Sequence, residues 1–274
     1  MSESVERRER TDFVQSVAKT LEVIQAFDAE HRDLTLSDVA RRTGQSRASA
    51  RRFLLSLEAL GFVRSEAGRF SLTPRVLALG HAFLSSLRLP EIAEPHLKAL
   101  SLRLGESTSA SVFDGDDIVY VARIPARRIM SVAIRVGSRF PAYATSMGRV
   151  MLAFAAEPAV DAYLERVVME PLTDRTVVDR DALRAELARV RSQGWAVVDQ
   201  ELAVGLRSVA APVRNAAGDV IAAINASTTA QPGSESMDQA IIDDVVATAD
   251  RISEDLRHAY PDMEDEHPRW GQPR

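Results

Sequence analysis

Gln45, Ser46, Arg47, Ser49, Arg51 and Arg52 crowd into one short stretch directly after Gly44. Guanidinium groups pair bidentately with guanine edges, and a carboxamide pairs with adenine. Presented from the first turns of a helix, such a set suits base reading in a DNA major groove. A second set lies far downstream. Asn225 and Ser227 are two apart on a predicted strand, so they share one face, and the apolar run Val220–Ile224 does not need Asn225 for packing. The other reading is that the two simply end the strand. A third feature is the extended segment Pro141–Thr145. It leads into a predicted helix beginning near Ser146, which is itself a candidate N-cap. The amides of Ser146, Met147 and Gly148 and the helix dipole there suit an anion. Arg149 and Arg207 either reach the same anion or form internal ion pairs.

These groups need elements to hold them. Phe13, Val17, Leu21 and Ile24 recur at helical steps and predict an amphipathic helix over 13–28. A short helix follows at 37–43 with Ser37 as its cap, then a turn at Gly44. Ser46 caps a second helix over 47–60, whose inward stripe is Ala50, Phe53, Leu54, Leu57 and Leu60. Ala48, Arg51 and Arg52 face away from that stripe, with Arg47 and Ser49 on its flanks. That is a helix-turn-helix. Phe62–Leu72 alternates around Gly68 and predicts a hairpin, which after a recognition helix is a wing. Arg64 and Arg69 in the wing, with Arg52, suit phosphate contacts that position without reading sequence.

Beyond a helix at 75–87 and another at about 91–104, the chain alternates strands and helices. Strands are expected at 107–113, 117–124, 129–135, 196–200, 207–214 and 219–227. Helices are expected at 147–156, 158–166, 180–192 and 236–259. The fold class is α+β: a winged helix-turn-helix, a helical linker, and an antiparallel sheet faced by helices. The expected divisions are a flexible arm over 1–10, a DNA-binding domain over 11–74, a helical linker over 75–88, an effector-binding domain over 89–260 and a disordered tail over 261–274.

Bulk properties narrow the classes. The 274 residues are 46% hydrophobic, enough for two cores, and contain no cysteine, which excludes disulfide and thiolate chemistry. No run of ~18 apolar residues exists to span a membrane and no signal-peptide core precedes the first helix, so a cytoplasmic protein is expected. The net charge of −5 is unevenly spread. Residues 1–88 hold 14 Arg and Lys against 11 Asp and Glu (net +3), and the remainder holds 20 against 28 (net −8). Phosphate neutralisation is local, so the regional sign matters. Catalytic signatures are missing: there is no Gly-x-Ser-x-Gly, His-Glu-x-x-His, Walker or dinucleotide fingerprint. The five histidines show no ligand spacing, so neither metal nor cofactor is expected.

The ordered set Val17–Ile24, Leu60–Val63, Ala144–Ala153, Gly194–Trp195, Asp199–Glu201 and Gly205–Val213 resembles the IclR family of bacterial transcriptional regulators. The resemblance spans about residues 13–260. The wording Tyr143–Arg149 is similar to the branch governing aromatic-acid catabolism through the β-ketoadipate pathway. It implies a C-terminal effector domain of GAF-like fold, assembly into dimers that often pair into tetramers, double-stranded operator DNA as partner, and no enzymatic activity. The apolar faces of helices 13–28 and 75–87 are candidates for the dimer contact. Carried over from the family, the effector site would comprise Ser146 and Met147 at a helix start and Ile129, Val132 and Phe140 as apolar wall. Leu206 would stand opposite, with Asp199, Ser208, Asn225 and Ser227 as polar contacts. Asp199 is otherwise a surface or capping carboxylate. An aromatic acid or dicarboxylate such as protocatechuate, 4-hydroxybenzoate or β-ketoadipate would suit that lining, and its binding would alter the spacing of two DNA heads. The competing reading is a small-molecule sensor with a vestigial DNA-binding half. The cationic outer face of 47–52 argues against it.

Overall fold

The computed structural model describes residues 13–28, 30–86, 88–126, 134–230 and 237–260, which divide into two compact units at Ser86/Leu87. In the first unit, α1 (Gln15–Gln25) leads to a two-residue strand β1 (Leu34–Thr35), then α2 (Leu36–Thr43) and α3 (Arg47–Ala59). The hairpin β2 (Val63–Glu66) and β3 (Arg69–Leu72) follows, then a 3-10 turn (Pro74–Val76) and α4 (Leu77–Ser86). Strand order β1-β3-β2 makes β1 part of the wing, a strand too short to leave a periodic signal.

The helix-turn-helix is fixed by its ends. Thr35, not Ser37, caps α2: its hydroxyl accepts from the Asp38 amide while Asp38 Oδ2 accepts from the Thr35 amide, a reciprocal capping box. Because the cap falls two residues earlier than expected, Ser37 lies exposed inside the helix. Gly44 closes α2 with φ +64°, and Ser46 then caps α3 through the Ser49 amide. The wing turns on Ala67 (φ 50°) and Gly68 (φ 77°), two consecutive left-handed residues that match a two-residue hairpin loop. Ala50, Leu54 and Leu57 of α3 pack on Val23, Leu34, Val39 and Val63 to make the core.

Two apolar stripes depart from expectation. Leu60 is exposed, because α3 ends one residue before it. On α1 the buried residue is Val23, whereas Phe13, Val14, Val17 (56% exposed) and Leu21 face outward. The periodicity was real, but the face it marks is not the one that closes this unit's core.

The second unit begins with α5 (Leu89–Leu104). Its sheet is antiparallel, in the order β6-β5-β4-β9-β8-β7. The strands are β4 (Ser107–Asp114), β5 (Asp117–Ile124), β6 (Arg139–Pro141), β7 (Ala196–Asp199), β8 (Leu206–Arg214) and β9 (Val220–Thr229). α6 (Ser146–Phe154) lies on one face, backed by α7 (Glu157–Arg166) and α8 (Arg180–Gln193). α5 and α9 (Gln239–Ala259) pack together on the other. In α9, Ile242, Val245, Ala249, Ile252 and Leu256 form the buried stripe. The expected strand at 129–135 falls mostly outside the described residues, and its last two positions, 134 and 135, are not strand. The edge strand β6 was not anticipated.

The capping argument yields a test of local stability. Thr35→Ala is expected to lower the first unit's stability by about 1 kcal/mol, and Ser37→Ala by no more than a few tenths, in thermal or urea denaturation. Equal losses would assign the cap wrongly.

Candidate DNA-binding face and ligand cavity

On α3 the cations divide by commitment. Arg47, Arg51 and Arg52 are exposed, and among the described residues no hydrogen bond or ion pair engages their guanidinium groups. The neighbouring Arg41 and Arg42 on α2 are instead spent on Asp38 and Asp28, both at 2.7 Å. In the wing, Arg64 is exposed and donates to Ser71 Oγ across the hairpin, and Arg69 donates to the Asp33 carbonyl, so both are steadied from within the domain. Ser46 and Ser49 sit at the head of α3, tied together as cap and capped amide. Gln45 is placed differently from a free base reader. Its Nε2 donates to the Lys19 carbonyl and Glu22 Oε2, and its Oε1 accepts from Ser49. Its amide therefore pins α3 to α1.

In the second unit, α6 starts where expected, but Thr145, not Ser146, is the N-cap, its hydroxyl accepting from the Gly148 amide. Ser146 is the first helical residue. The cap takes one of the orphan donors of the helix start, which leaves the amides of Ser146 and Met147 at its head. Gly148 is required for this geometry: a Cβ there would lie 2.3 Å from the Ala142 carbonyl oxygen, a backbone atom that cannot move aside.

A cavity opens at this helix head, lined by Ser146, Met147, Leu206, Ser208, Asn225 and Ser227, six of the residues the resemblance implied, together with Tyr120, Ala144, Thr145, Val198 and Leu202. It measures about 10 Å³, room for at most one water. Its polar groups are buried and nearly all partnered. Ser146 Oγ and Ser208 Oγ are 2.9 Å apart, and Asn225 Nδ2 donates to Ser227 Oγ at 3.1 Å. Asn225 Oδ1 is the exception. It is fully buried and has no hydrogen-bond partner, the one such side-chain atom among the described residues. Burial raises the Tyr120 phenol to about 12, so its hydroxyl stays protonated at neutral pH.

Other expected members stand elsewhere. Ile129 and Val132 lie outside the described residues. Phe140 is on β6 and packs edge-on against Tyr120 with ring centroids 5.8 Å apart, one layer behind the cavity wall. Asp199 does not reach the cavity, because its carboxylate is held by Arg207 Nε (2.8 Å) and Arg175 Nη1 (2.7 Å). The Arg207 hydrogen bond is the main reason its carboxyl is held below the ordinary carboxylate range. The alternatives for the two arginines are thereby decided in favour of internal pairs. Arg149, only 2% exposed, meets Glu201 bidentately at 2.8 and 2.5 Å and also donates to the Tyr143 carbonyl. This pair ties α6 to the loop after β7, and Glu201 Oε2 also accepts from the Val177 amide.

One residue in this region had no sequence signal. Arg123 on β5 is half-buried, and its Nη1 donates to Ser109 Oγ at 3.3 Å. Elsewhere, His96 and His258 share an open groove with Glu91 and Asp255, and His96 pairs with Asp255 at 2.7 Å. No group of three or more metal-type ligands forms among the described residues.

A winged helix-turn-helix with uncommitted cations, followed by a separate helix-flanked sheet, defines a DNA-binding transcriptional regulator. The chain belongs to the IclR family: residues 16–67 match the IclR helix-turn-helix domain and residues 81–254 the bacterial transcriptional regulator IclR C-terminal domain. It is 46% identical over 218 residues to the Pca regulon regulatory protein of Pseudomonas putida, covering 79% of this chain and 75% of that protein. Identity to the p-hydroxybenzoate hydroxylase transcriptional activator of Acinetobacter baylyi is 32% over 255 residues, 90% of this chain and 92% of that one. A transcriptional regulator from Rhodococcus sp. RHA1 superposes with TM-score 0.79 at 52% identity, covering 90% of this chain and all (100%) of that one. An IclR homologue from Microbacterium hydrocarbonoxydans, complexed with 4-hydroxybenzoate, superposes with TM-score 0.78 at 25% identity, covering 89% of this chain and 99% of that one. The matched proteins are regulators, not enzymes.

Two expectations follow from the site's electrostatics. Removing one member of the buried pair, as in Glu201→Gln, should cost about 3–5 kcal/mol, and Arg149→Met with Glu201→Met together should recover much of that loss in denaturant titrations. Asp199 has a folded-state value below its unfolded value near 3.8. Its contribution is therefore fully present above that pH and is lost as pH falls through the lower folded value. Asp199→Asn should flatten the fall in stability below about pH 3.8, and an unchanged acid-unfolding curve would refute the pairing.

Proposed function

We propose that this regulator's hold on an operator is set by a small organic acid, an aromatic acid or β-ketoadipate-type catabolite, bound in the cavity at the head of α6. The observation that carries the reading is Asn225 Oδ1, a buried acceptor of a cavity-lining residue with nothing to accept from. Leaving such a group unmet costs ~1–3 kcal/mol, which a ligand hydroxyl or acid proton would recover. Turning the amide over exchanges acceptor for donor and still leaves one polar end unmet. The Ser146 and Met147 amides add donors for a carboxylate at the positive end of α6. Two relatives add support through their names: the Pca regulon regulator and the homologue complexed with 4-hydroxybenzoate.

The cavity is too small for a ring, so an acid must displace its lining. That displacement gives the ligand different affinity for two states, the condition for any shift in DNA binding.

On DNA, Arg47 and Arg51 read bases from the front of α3, helped by Ser46 and Ser49. Arg52, Arg64 and Arg69 meet phosphate. Gln45 acts through its hold on α1. The protein works as a dimer, in which the outward apolar residues Phe13 just before α1, Val17 and Leu21 of α1, and Leu77, Leu79 and Phe83 of α4 meet a second copy.

Arg51→Ala is expected to relax preference at one base position by about 1–3 kcal/mol, and Arg69→Ala to weaken binding equally on all sequences. Anisotropy titrations on the DNA upstream of the gene and on random DNA check this. Identical losses on both DNAs for both variants would refute the assignment. A thermal-shift series with protocatechuate, 4-hydroxybenzoate and β-ketoadipate should show stabilisation that Asn225→Ala diminishes. No stabilisation by any of the three would contradict the acid-effector reading.

A further inference from the structure

We propose that Arg123 is the residue that recognises the effector's carboxylate and so makes the cavity selective for acids over their neutral analogues. The proposal rests on the acid-effector reading above and deepens it.

The argument begins with a β-bulge. β4 and β5 pair Ser109 with Arg123 and Ala110 with Ala122, but Ser111 with Tyr120, so Val121 is an extra residue on β5. Strand alternation would send Tyr120 and Arg123, three apart, to opposite faces. The extra residue resets the parity, so both share the face that carries the cavity. Ser109 also pairs with Asn225 across β9. Arg123, Ser109 and Asn225 therefore form one row across three strands, on one face. Arg123 is not itself in the cavity wall, but its guanidinium, on Ser109 Oγ, lies over the strand next to Asn225, about one strand spacing, roughly 5 Å, along the row from the unmet amide.

The second observation is what Arg123 lacks. A guanidinium has five N–H donors, and a carboxylate fits two of them side by side. Arg149 and Arg207, the other arginines placed near this cavity, each have a carboxylate. Among the described residues none pairs with Arg123, whose one hydrogen bond goes to a neutral serine. Burial lowers its affinity for a proton. A half-desolvated cation with a neutral partner beside an unmet buried acceptor is complementary to an acid that also carries a hydroxyl or second polar group. The acid's carboxylate would take Arg123, and its far group would take Asn225. Regular alternation along β5 would put Arg123 on the face opposite Tyr120, so the linear sequence carries no signal for its placement.

The test compares 4-hydroxybenzoate with 4-hydroxybenzamide, and β-ketoadipate alone, by calorimetry on wild type, Arg123→Gln, Arg123→Lys and Asn225→Ala. Wild type should bind 4-hydroxybenzoate at least tenfold more tightly than the amide. Arg123→Gln removes the charge while keeping a neutral amide donor and should erase that ratio, and Arg123→Lys should keep part of it. Asn225→Ala should weaken acid and amide together and preserve the ratio. A ratio unchanged in Arg123→Gln would overturn the proposal while leaving the effector reading intact. Wild-type protein that binds none of these compounds would overturn the effector reading and this proposal with it.

Discussion

A row of polar side chains is buried inside an otherwise apolar sheet face, and each must find a partner or cost free energy. Ser107, Ser109, Ser111, Ser208, Asn225 and Ser227 all lie on that face and are almost wholly excluded from solvent. Hydroxyls and amides removed from water without partners are destabilising by a few kcal/mol each. The surroundings answer them one by one. Ser107 accepts from the Ala126 amide, Ser109 from Arg123, Ser111 donates to Met147 Sδ, and Ser208 meets Ser146. Much of the second unit follows from meeting these needs. α6 must start where Ser146 and Met147 reach the strip, and Gly148 allows that start to sit against the Ala142 carbonyl. The Arg149–Glu201 pair then fixes the helix to the loop that supplies Leu202 to the cavity.

Among the described residues the strip is satisfied except at one atom, Asn225 Oδ1. An unmet acceptor in a low-dielectric interior is costly, so it is the point in the strip where a partner would gain most. The first unit uses the opposite device. There the carboxylates of Asp28 and Asp38 neutralise the arginines of α2, leaving those of α3 uncommitted at the surface. Cationic charge is thus left unpaired at the surface of α3 while that of α2 is neutralised.

Much of the fold was legible because its signals are local. Ser46, Gly44 and Gly68 marked the helix-turn-helix and wing, and β5 was read to the residue. Thr35 was missed as a cap because Ser37 is equally good chemistry, and only the placement of Asp38 decides between them. The candidate cavity was legible mainly through family resemblance, and its members proved unequal. Ser146, Met147, Leu206, Ser208, Asn225 and Ser227 converge on it, but Asp199 is captured by Arg207 and Phe140 stands behind Tyr120. Competition between arginine and ligand for a carboxylate is a matter of distance across strands, which a linear sequence does not carry. The same holds for Arg123, whose facing is set by a bulge, and for Gln45, whose partners Lys19 and Glu22 lie on another helix.

The central claim is that Asn225 sits in the effector site and that filling it alters the grip on DNA. It is tested most directly by following the Asn225 side-chain amide resonances in nitrogen-15-labelled protein as 4-hydroxybenzoate or β-ketoadipate is added, with anisotropy of the upstream DNA read in parallel. The account predicts a saturable shift at Asn225 with the same midpoint as the change in DNA affinity. A change in DNA affinity with Asn225 unmoved at saturation would contradict it.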